Sequence, residues 1–422
     1  MNQNQNNNEL AEIQPEEEKL DLLEQLQEDI GYGPEQYIIL IVSFALKFAE
    51  GFHMALFSHI LIPFKYYYQI SEYSVIAVSS ISFIGLGIGS LLPGYFLKIF
   101  TRRFTIILFC TLLFVFSLFQ AIFDNLVVFT IVRFFNGLFI GVAKPIMYSL
   151  LFEFLPIRFR TLSICLEQFC FLFGGTIILN GIMMLVNPKL KIDGLKKVLY
   201  TLPIPPLLLM ILALVFIKDS PKNLFLKGNP KEAIQLLEKM SNKKFDDDYK
   251  NKLKELKKMD EKSTLWDLMQ RKYRRVISIL SVMFIINAYM TYAILLISSI
   301  TFKVQFKDIK SEEIESKQAI VFWMMIPGTI VAGLICEISW LGRKNTCIIG
   351  YGGFALFGIF ACIFPQYLEV FLGLMGFFSQ FNYNVSYVYV CEAFPTKIRT
   401  IALGFCVFWN KLSGFITHFF IS

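Results

Sequence analysis

Two ionisable side chains stand inside a run of apolar ones. They are Lys47 and Glu50, in "LIVSFALKFAEGFHMALFSHIL" (40–61). A charge at the centre of a bilayer costs about 2.5–3.5 kcal/mol on insertion scales, so it faces a partner or a water-filled path. At three residues apart, Lys47 and Glu50 share one helical face, with Ser43 and Ser58 beside the same stripe. Two readings stand. Either Glu50 couples a proton or other cation to movement of a solute, or the pair neutralises itself and lets the helix be tolerated. Lys144 sits just before Pro145 in another apolar run. Proline removes a helical donor and loosens backbone that a cavity can use. Lys144 is expected in a central cavity, meeting an anionic solute or paired with Glu50 or Glu167. Arg133, a second coupling candidate, is expected to serve helix packing more than solute contact.

Neutral polar groups crowd "FFSQFNYNVSYVYVCE" (377–392). Helical spacing puts Gln380, Tyr383, Asn384 and Tyr387 on one face. Amides and phenols suit recognition of polyols or zwitterions. The alternative is hydrogen bonding between helices, worth about 0.6 kcal/mol per pair. Asn287, Tyr289, Thr291 and Tyr292 are weaker candidates of the same kind, and Trp409, Asn410 and Lys411 are placed to reach a cavity. His53, His59 and His418 have no ligand partners at useful spacing, and the eight cysteines show no metal-ligand pattern, so no metal is expected. Phosphate-binding loops, nucleophile elbows and Cys/His clusters are absent, which excludes the common enzyme classes and leaves no cofactor to expect.

The elements that carry these residues follow from hydropathy. The 422 residues are 55% hydrophobic and only 17% charged, against about a quarter charged in soluble proteins. The apolar excess falls in blocks long enough to cross a hydrocarbon core of roughly 30 Å. Spans are predicted at 37–62, 72–97, 104–123, 126–152, 161–187 and 197–217, then at 275–302, 318–338, 345–364, 366–391 and 398–421. The fold class is all-α, polytopic and membrane-embedded, so the net charge of +7 is no nucleic-acid signal. Lys and Arg concentrate after even-numbered spans, which puts the N-terminal tail and the insert 218–273 in the cytoplasm. The tail is acidic and unlike a cleaved signal peptide. The insert, with runs such as "YKNKLKELKKM" (249–259), suits short helices at the inner leaflet or a solvated face.

One charged turn is written twice. "EFLPIRFRT" (153–161) follows the fourth span and "EAFPTKIRT" (392–400) the tenth, so Glu153 and Glu392 stand 239 residues apart. "GYFLKIFTRRF" (94–104) and "GLICEISWLGRKN" (333–345) follow the second and eighth, with Gly94 and Gly333 at the same offset. Duplicated halves about an axis along the membrane normal mark a class of secondary transporters with the site between the halves.

On these motifs the chain resembles the major facilitator superfamily, and within it the sugar-porter and synaptic-vesicle-protein-related branch. "GYFLKIFTRR" is similar to that family's loop after span two, and "RFFNGLFIG" (133–141) to its fourth-span arginine and glycine motif. "KDSPKNLFLKGNPKEAIQLLEKM" (218–240) resembles the start of its central loop, and "EDIGYGPEQY" (28–37) its lead-in to span one. The Glu50-Gly51 pair resembles an acid-glycine pair found near there in the branch. The resemblance implies two pseudo-symmetric bundles: a tail (1–36), a six-helix bundle (37–217), a central loop (218–273) and a C-terminal bundle (274–422) of five helices with the sixth missing. It implies a gating motif of Gly94, Lys98, Arg102, Arg103, Glu153 and Arg160, repeated as Gly342, Arg343, Lys344, Glu392 and Arg399. Three departures stand out. Lys98 and Thr101 replace the motif's acid and glycine, Ser339 fills the acid position of the second copy, and a twelfth span is absent. Lys98 is expected to join Arg102, Arg103 and Arg160 in a basic cluster and to loosen the cytoplasmic latch. The implied function is secondary active or facilitative transport of a small polar organic solute, a sugar, organic ion or similar metabolite, by alternating access. Protons are a candidate second substrate. The protein is expected as a monomer in the plasma membrane or a vesicle membrane. The alternative is a non-transporting receptor, scaffold or degenerate paralogue on the transporter fold.

Overall fold

The computed structural model describes residues 33–122, 125–187, 192–219, 221, 224, 229–241, 265–305, 311–338 and 340–421. Among them there are helices and turns but no strand. Helix α1 spans Pro34–Tyr68, α2 Glu72–Leu91, the short α3 Pro93–Ile99, α4 Arg102–Ile122 and α5 Leu126–Phe154. Helix α6 (Ile157–Leu172) widens into a π turn (Phe173–Leu179) before α7 (Asn180–Val186). Then come α8 (Ile192–Leu199), α9 (Ile204–Phe216) and, in the insert, α10 (Pro230–Ser241) and a 3-10 turn (Leu265–Met269). The second half holds α11 (Arg271–Gln305), α12 (Ser311–Cys336), α13 (Gly342–Ile363), α14 (Leu368–Ala393) and α15 (Thr396–Ile421).

Nine helical stretches among the described residues are long and apolar enough to cross a membrane, and Ile320–Cys336 is a shorter apolar one. Helix α14, rich in amides and phenols, is not among the nine. Local chemistry sets several boundaries. The Ser71 hydroxyl accepts from Ser74 N at 3.2 Å, and Asn125 Oδ1 accepts from Val127 N at 2.8 Å, so each caps the helix that follows. Pro93 has no N–H to extend α2, and the expected span 72–97 is broken there into α2 and α3. The expected span 197–217 breaks at residues 200–203, where Pro203 caps α9 and Pro205 and Pro206 occupy its first turn.

Small residues bring backbones together. A Cβ on Gly89 would lie 2.2 Å from the carbonyl oxygen of Leu138, and one on Gly137 2.2 Å from that of Ser82. Helices α2 and α5 therefore touch main chain to main chain, the packing that membrane helices build from small residues. The second half repeats the contact at the 239-residue offset. A Cβ on Gly328 would lie 2.4 Å from Phe377 O, and the nearest backbone to one on Gly376 is Val321 O at 3.7 Å. The charged turns repeat too: Arg160 Nε donates to Leu155 O at 3.1 Å, and Arg399 Nε to Phe394 O at 3.4 Å. Both guanidinium groups lie over one ring, Phe152, at 5.4 and 5.8 Å.

Polarity is arranged inside out. Ile41, Leu185, Ile211, Val215, Ile279 and Ile359 are exposed, while Lys47, Glu50, Lys144, Glu167 and Lys411 are buried. Exposed aliphatic side chains need an apolar solvent, and this is an integral, multi-pass membrane protein.

Candidate functional site

Glu50 lies on α1, one residue before Gly51. A Cβ on Gly51 would meet Phe171 O at 2.0 Å, and one on Gly175 would meet Gly51 O at 2.6 Å. Helix α1 is thus held backbone to backbone against α6 and its π turn, which fixes the height of Glu50 in the interior. Pro145, inside α5, follows Lys144 directly.

Three ammonium groups converge on the one carboxylate. Lys144 Nζ donates to Glu50 Oε1 at 2.9 Å, Lys47 Nζ lies 3.2 Å from Oε2, and Lys411 Nζ lies 3.8 Å from Oε1. Lys47, Lys144 and Glu50 come from the first half and Lys411 from α15 of the second. Relative exposure is 0% for Glu50 and 1% for Lys144, so water screens none of this. Both readings of the Lys47–Glu50 pair are therefore joined by a third: the carboxylate is a counter-ion shared between the halves. The second acid, Glu167 on α6, accepts a hydrogen bond from the Ser43 hydroxyl.

Aromatic rings surround the lysines. Lys47 Nζ is 5.3 Å from the Tyr148 ring centre and 5.5 Å from that of Tyr387, and Lys144 Nζ is 5.1 Å from Tyr387. Lys411 Nζ donates to the Tyr292 hydroxyl at 3.0 Å and lies 5.7 Å from the Phe83 ring. Cations over aromatic faces gain about 2 kcal/mol or more when desolvated. Tyr148 stacks on Tyr387 across the halves with ring centres 5.3 Å apart, and Phe83 meets Tyr292 edge to face at 4.9 Å.

The polar face of α14 divides. Tyr383 and Tyr387 join the cluster, their hydroxyls 3.3 Å apart. Asn384 Nδ2 turns to Thr329 O on α12 at 3.5 Å. Gln380 is fully buried, and its Oε1 has no hydrogen-bond partner among the described residues. Asn287 binds Ser386 Oγ at 2.7 Å and accepts from the Tyr351 hydroxyl at 3.0 Å, within the second half. Asn410 Nδ2 donates to Phe284 O at 3.0 Å, joining α15 to α11. Asn384, Asn287 and Asn410 thus hydrogen-bond between helices of the second half.

Arg133 lies apart from the cluster, its Nε donating to Ser79 O at 3.0 Å. Nearby on α1, His53 Nε2 lies 3.1 Å from Ser117 Oγ, and Asn136 Nδ2 donates to Gln120 at 2.8 Å. No group of residues fit to hold a metal ion occurs among the described residues.

At the end carrying the charged turns, Arg102 pairs with Glu153, both buried, and Arg343 pairs with Glu392 at 2.5 Å, partly exposed. Lys98 and Arg103 are exposed, whereas Arg102 and Arg160 are buried. Lys98 occupies the last turn of α3, where a cation suits the helix dipole, and Glu153 neutralises Arg102. Lys344 is exposed, and Gly342, at φ +58°, makes the left-handed turn that opens α13. Ser339 lies outside the described residues. The halves close tightly here. A Cβ on Gly404 would lie 2.0 Å from Ser90 O, one on Gly94 3.0 Å from Ile401, and one on Gly333 3.0 Å from Cys165 Sγ.

Sequence reasoning missed Tyr148 and Phe83 and left Lys411 without a partner. Tyr148 stands four residues after Lys144, one turn along the same face, and that spacing was the available signal.

The profile of the Sugar (and other) transporter family matches residues 38–422. The synaptic vesicle 2-related protein of Rattus norvegicus is 24% identical over 423 residues, 94% of this chain and 75% of that protein. Its namesake in Xenopus laevis is 25% identical over 422 residues, with the same coverage. Among solved structures, the proton:xylose symporter XylE bound to 6-bromo-6-deoxy-D-glucose superposes with a TM-score of 0.73 at 19% identity, covering 91% of this chain and 88% of that one. The inward open conformation of XylE from E. coli gives 0.67 at 20% identity, covering 92% and 89%. Both likenesses show the fold.

Proposed function

The chain belongs to the Sugar (and other) transporter family of the major facilitator superfamily, and from that premise we propose that it carries its small solute by alternating access about the Glu50 cluster. It is a membrane transporter and not an enzyme. The moving parts are a first bundle (37–217) and a second (274–422), with the N-terminal tail and the insert on the cytoplasmic side. One observation carries the reading: a single buried carboxylate, Glu50, is reached from both halves, by Lys144 and by Lys411. Rocking one half against the other must stretch the 3.8 Å contact to Lys411 while leaving Lys144 and Lys47 in place. A site so divided senses which side is open.

The contacts of Gly404 with Ser90 and of Gly333 with Cys165 support a conformation closed on the cytoplasmic side. The test is uptake by the purified protein in proteoliposomes, screened over sugars, organic anions and organic cations with and without a pH gradient. Saturable uptake of at least one class is expected. If Glu50 also couples protons, Glu50→Gln loses gradient-driven accumulation and keeps part of the exchange. No flux of any class would leave the non-transporting receptor or scaffold in its place.

A further inference from the structure

We infer that the solute held by this cluster is a small organic anion, a carboxylate on an aromatic body. The inference rests on the transport reading above and adds the substrate class.

Formal charge is the first reason. Lys47, Lys144 and Lys411 bring three cations to a buried site where Glu50 and Glu167 supply two anions. One positive charge remains over, in a place where an uncompensated charge is costly. A carboxylate solute removes that excess. A neutral sugar leaves it, and an organic cation adds to it.

Hydrogen bonding is the second. Each ammonium has three N–H donors. Lys144 spends one on Glu50 Oε1 and Lys411 one on the Tyr292 hydroxyl. Lys47 Nζ faces Glu50 Oε2 at 3.2 Å outside hydrogen-bond geometry, and that oxygen and Glu167 Oε2 are the carboxylate oxygens of the cluster left without a hydrogen bond among the described residues. The cluster is richer in donors than in acceptors, and an ionised carboxylate is acceptor only.

The rings are the third. Tyr148, Phe171 and Tyr387 surround Lys47, and Phe83 and Tyr292 flank Lys411. They hold the ammonium groups by their faces and offer an aromatic body edges and faces to pack on. Lys411 is the loosest partner of Glu50, so an entering carboxylate takes over Lys411 first. The anion then stands where the halves meet, bound by Lys411 on one side and Lys47 on the other.

Binding is measured without flux, by thermal unfolding of the purified full-length protein in detergent. Benzoate and nicotinate are compared with xylose and choline, against equal sodium chloride. Saturable stabilisation by the two anions alone is expected. Lys411→Gln is expected to weaken benzoate binding at least tenfold, about 1.4 kcal/mol, and Lys411→Arg to restore most of it. Lys47→Gln repeats the test should Lys411→Gln not fold. Stabilisation by xylose or choline with none by benzoate overturns the inference. So does benzoate binding that neither glutamine variant weakens. If benzoate binds through the lysines but nothing is transported, the substrate class stands and the transport reading fails. If proteoliposomes take up xylose and anions neither bind nor compete, transport stands and the anion inference fails.

Discussion

Replacing Glu50 with Gln keeps the size of the side chain and removes its charge. Its oxygens lie 2.9, 3.2 and 3.8 Å from the three lysine nitrogens. At an effective dielectric of about 20, each contact carries about 4–6 kcal/mol of gross attraction. Desolvation of the carboxylate offsets most of this, and removing one partner of a buried pair has a net cost of about 3–5 kcal/mol. One surplus positive charge becomes two. The double variant Glu50→Gln/Lys144→Met returns the surplus to one, so it should recover at least half of the loss. The assay is thermal unfolding of the wild type, both single variants and the double variant in lipid nanodiscs, read as a double-mutant cycle. If the double variant melts below Glu50→Gln, unpaired charge is not what Glu50 prevents, and the reasoning fails.

The two gating pairs should differ. Glu153→Gln strands a buried Arg102 and should destabilise by about 3–5 kcal/mol, while Glu392→Gln breaks a partly exposed pair and should cost about 1 kcal/mol or less; equal melting shifts would contradict the burial. Gly89→Ala and Gly328→Ala should both lower the melting temperature, by about 1–3 kcal/mol of overpacking each, whereas Gly352→Ala, with nothing within 4 Å of its Cβ, should hold or raise it. Gly404→Val should push α15 from α2 and open the end with the charged turns. In a background with Cys165 as the sole cysteine, maleimide labelling there should quicken, and an unchanged rate would mean that Gly404 does not set the closure.

Much of the architecture is legible in the sequence because lipid imposes it. Apolar blocks of span length admit few alternatives to helices, and the 239-residue offset of Glu153 and Glu392 recurs in the contacts of Gly89 and Gly328. The breaks are harder to read. Pro93 ends α2 although apolar residues run past it, and Gly174 and Gly175 open a π turn inside one continuous hydrophobic stretch. Side-chain direction is harder still. Gln380, Tyr383, Asn384 and Tyr387 share a face by spacing, yet that face is wide enough to touch several helices. Tyr387 meets α5 and Asn384 meets α12. The type of a buried lysine is plain in the sequence, but its partner on another helix is fixed by packing alone. That is why Lys411 could be noticed and not assigned.

The insert does not belong equally to both halves. Helix α10 packs against the start of α1, where a Cβ on Gly33 would meet Met240 O at 2.6 Å. Glu35 holds Lys218 at 2.8 Å and Lys239 at 3.3 Å. The turn Leu265–Met269 packs instead against α11 and α15. On a ribosome the chain appears from its N-terminus at about 5–20 residues per second. The residues after Ser241 here therefore take on the order of ten seconds or more to make. Throughout that interval every partner of α10 on α1 already exists, so the start of α1 can be fastened to α10 before α15 is synthesised. Lys411 then arrives last, entering a site whose other charges have been waiting, mutually compensated, for it.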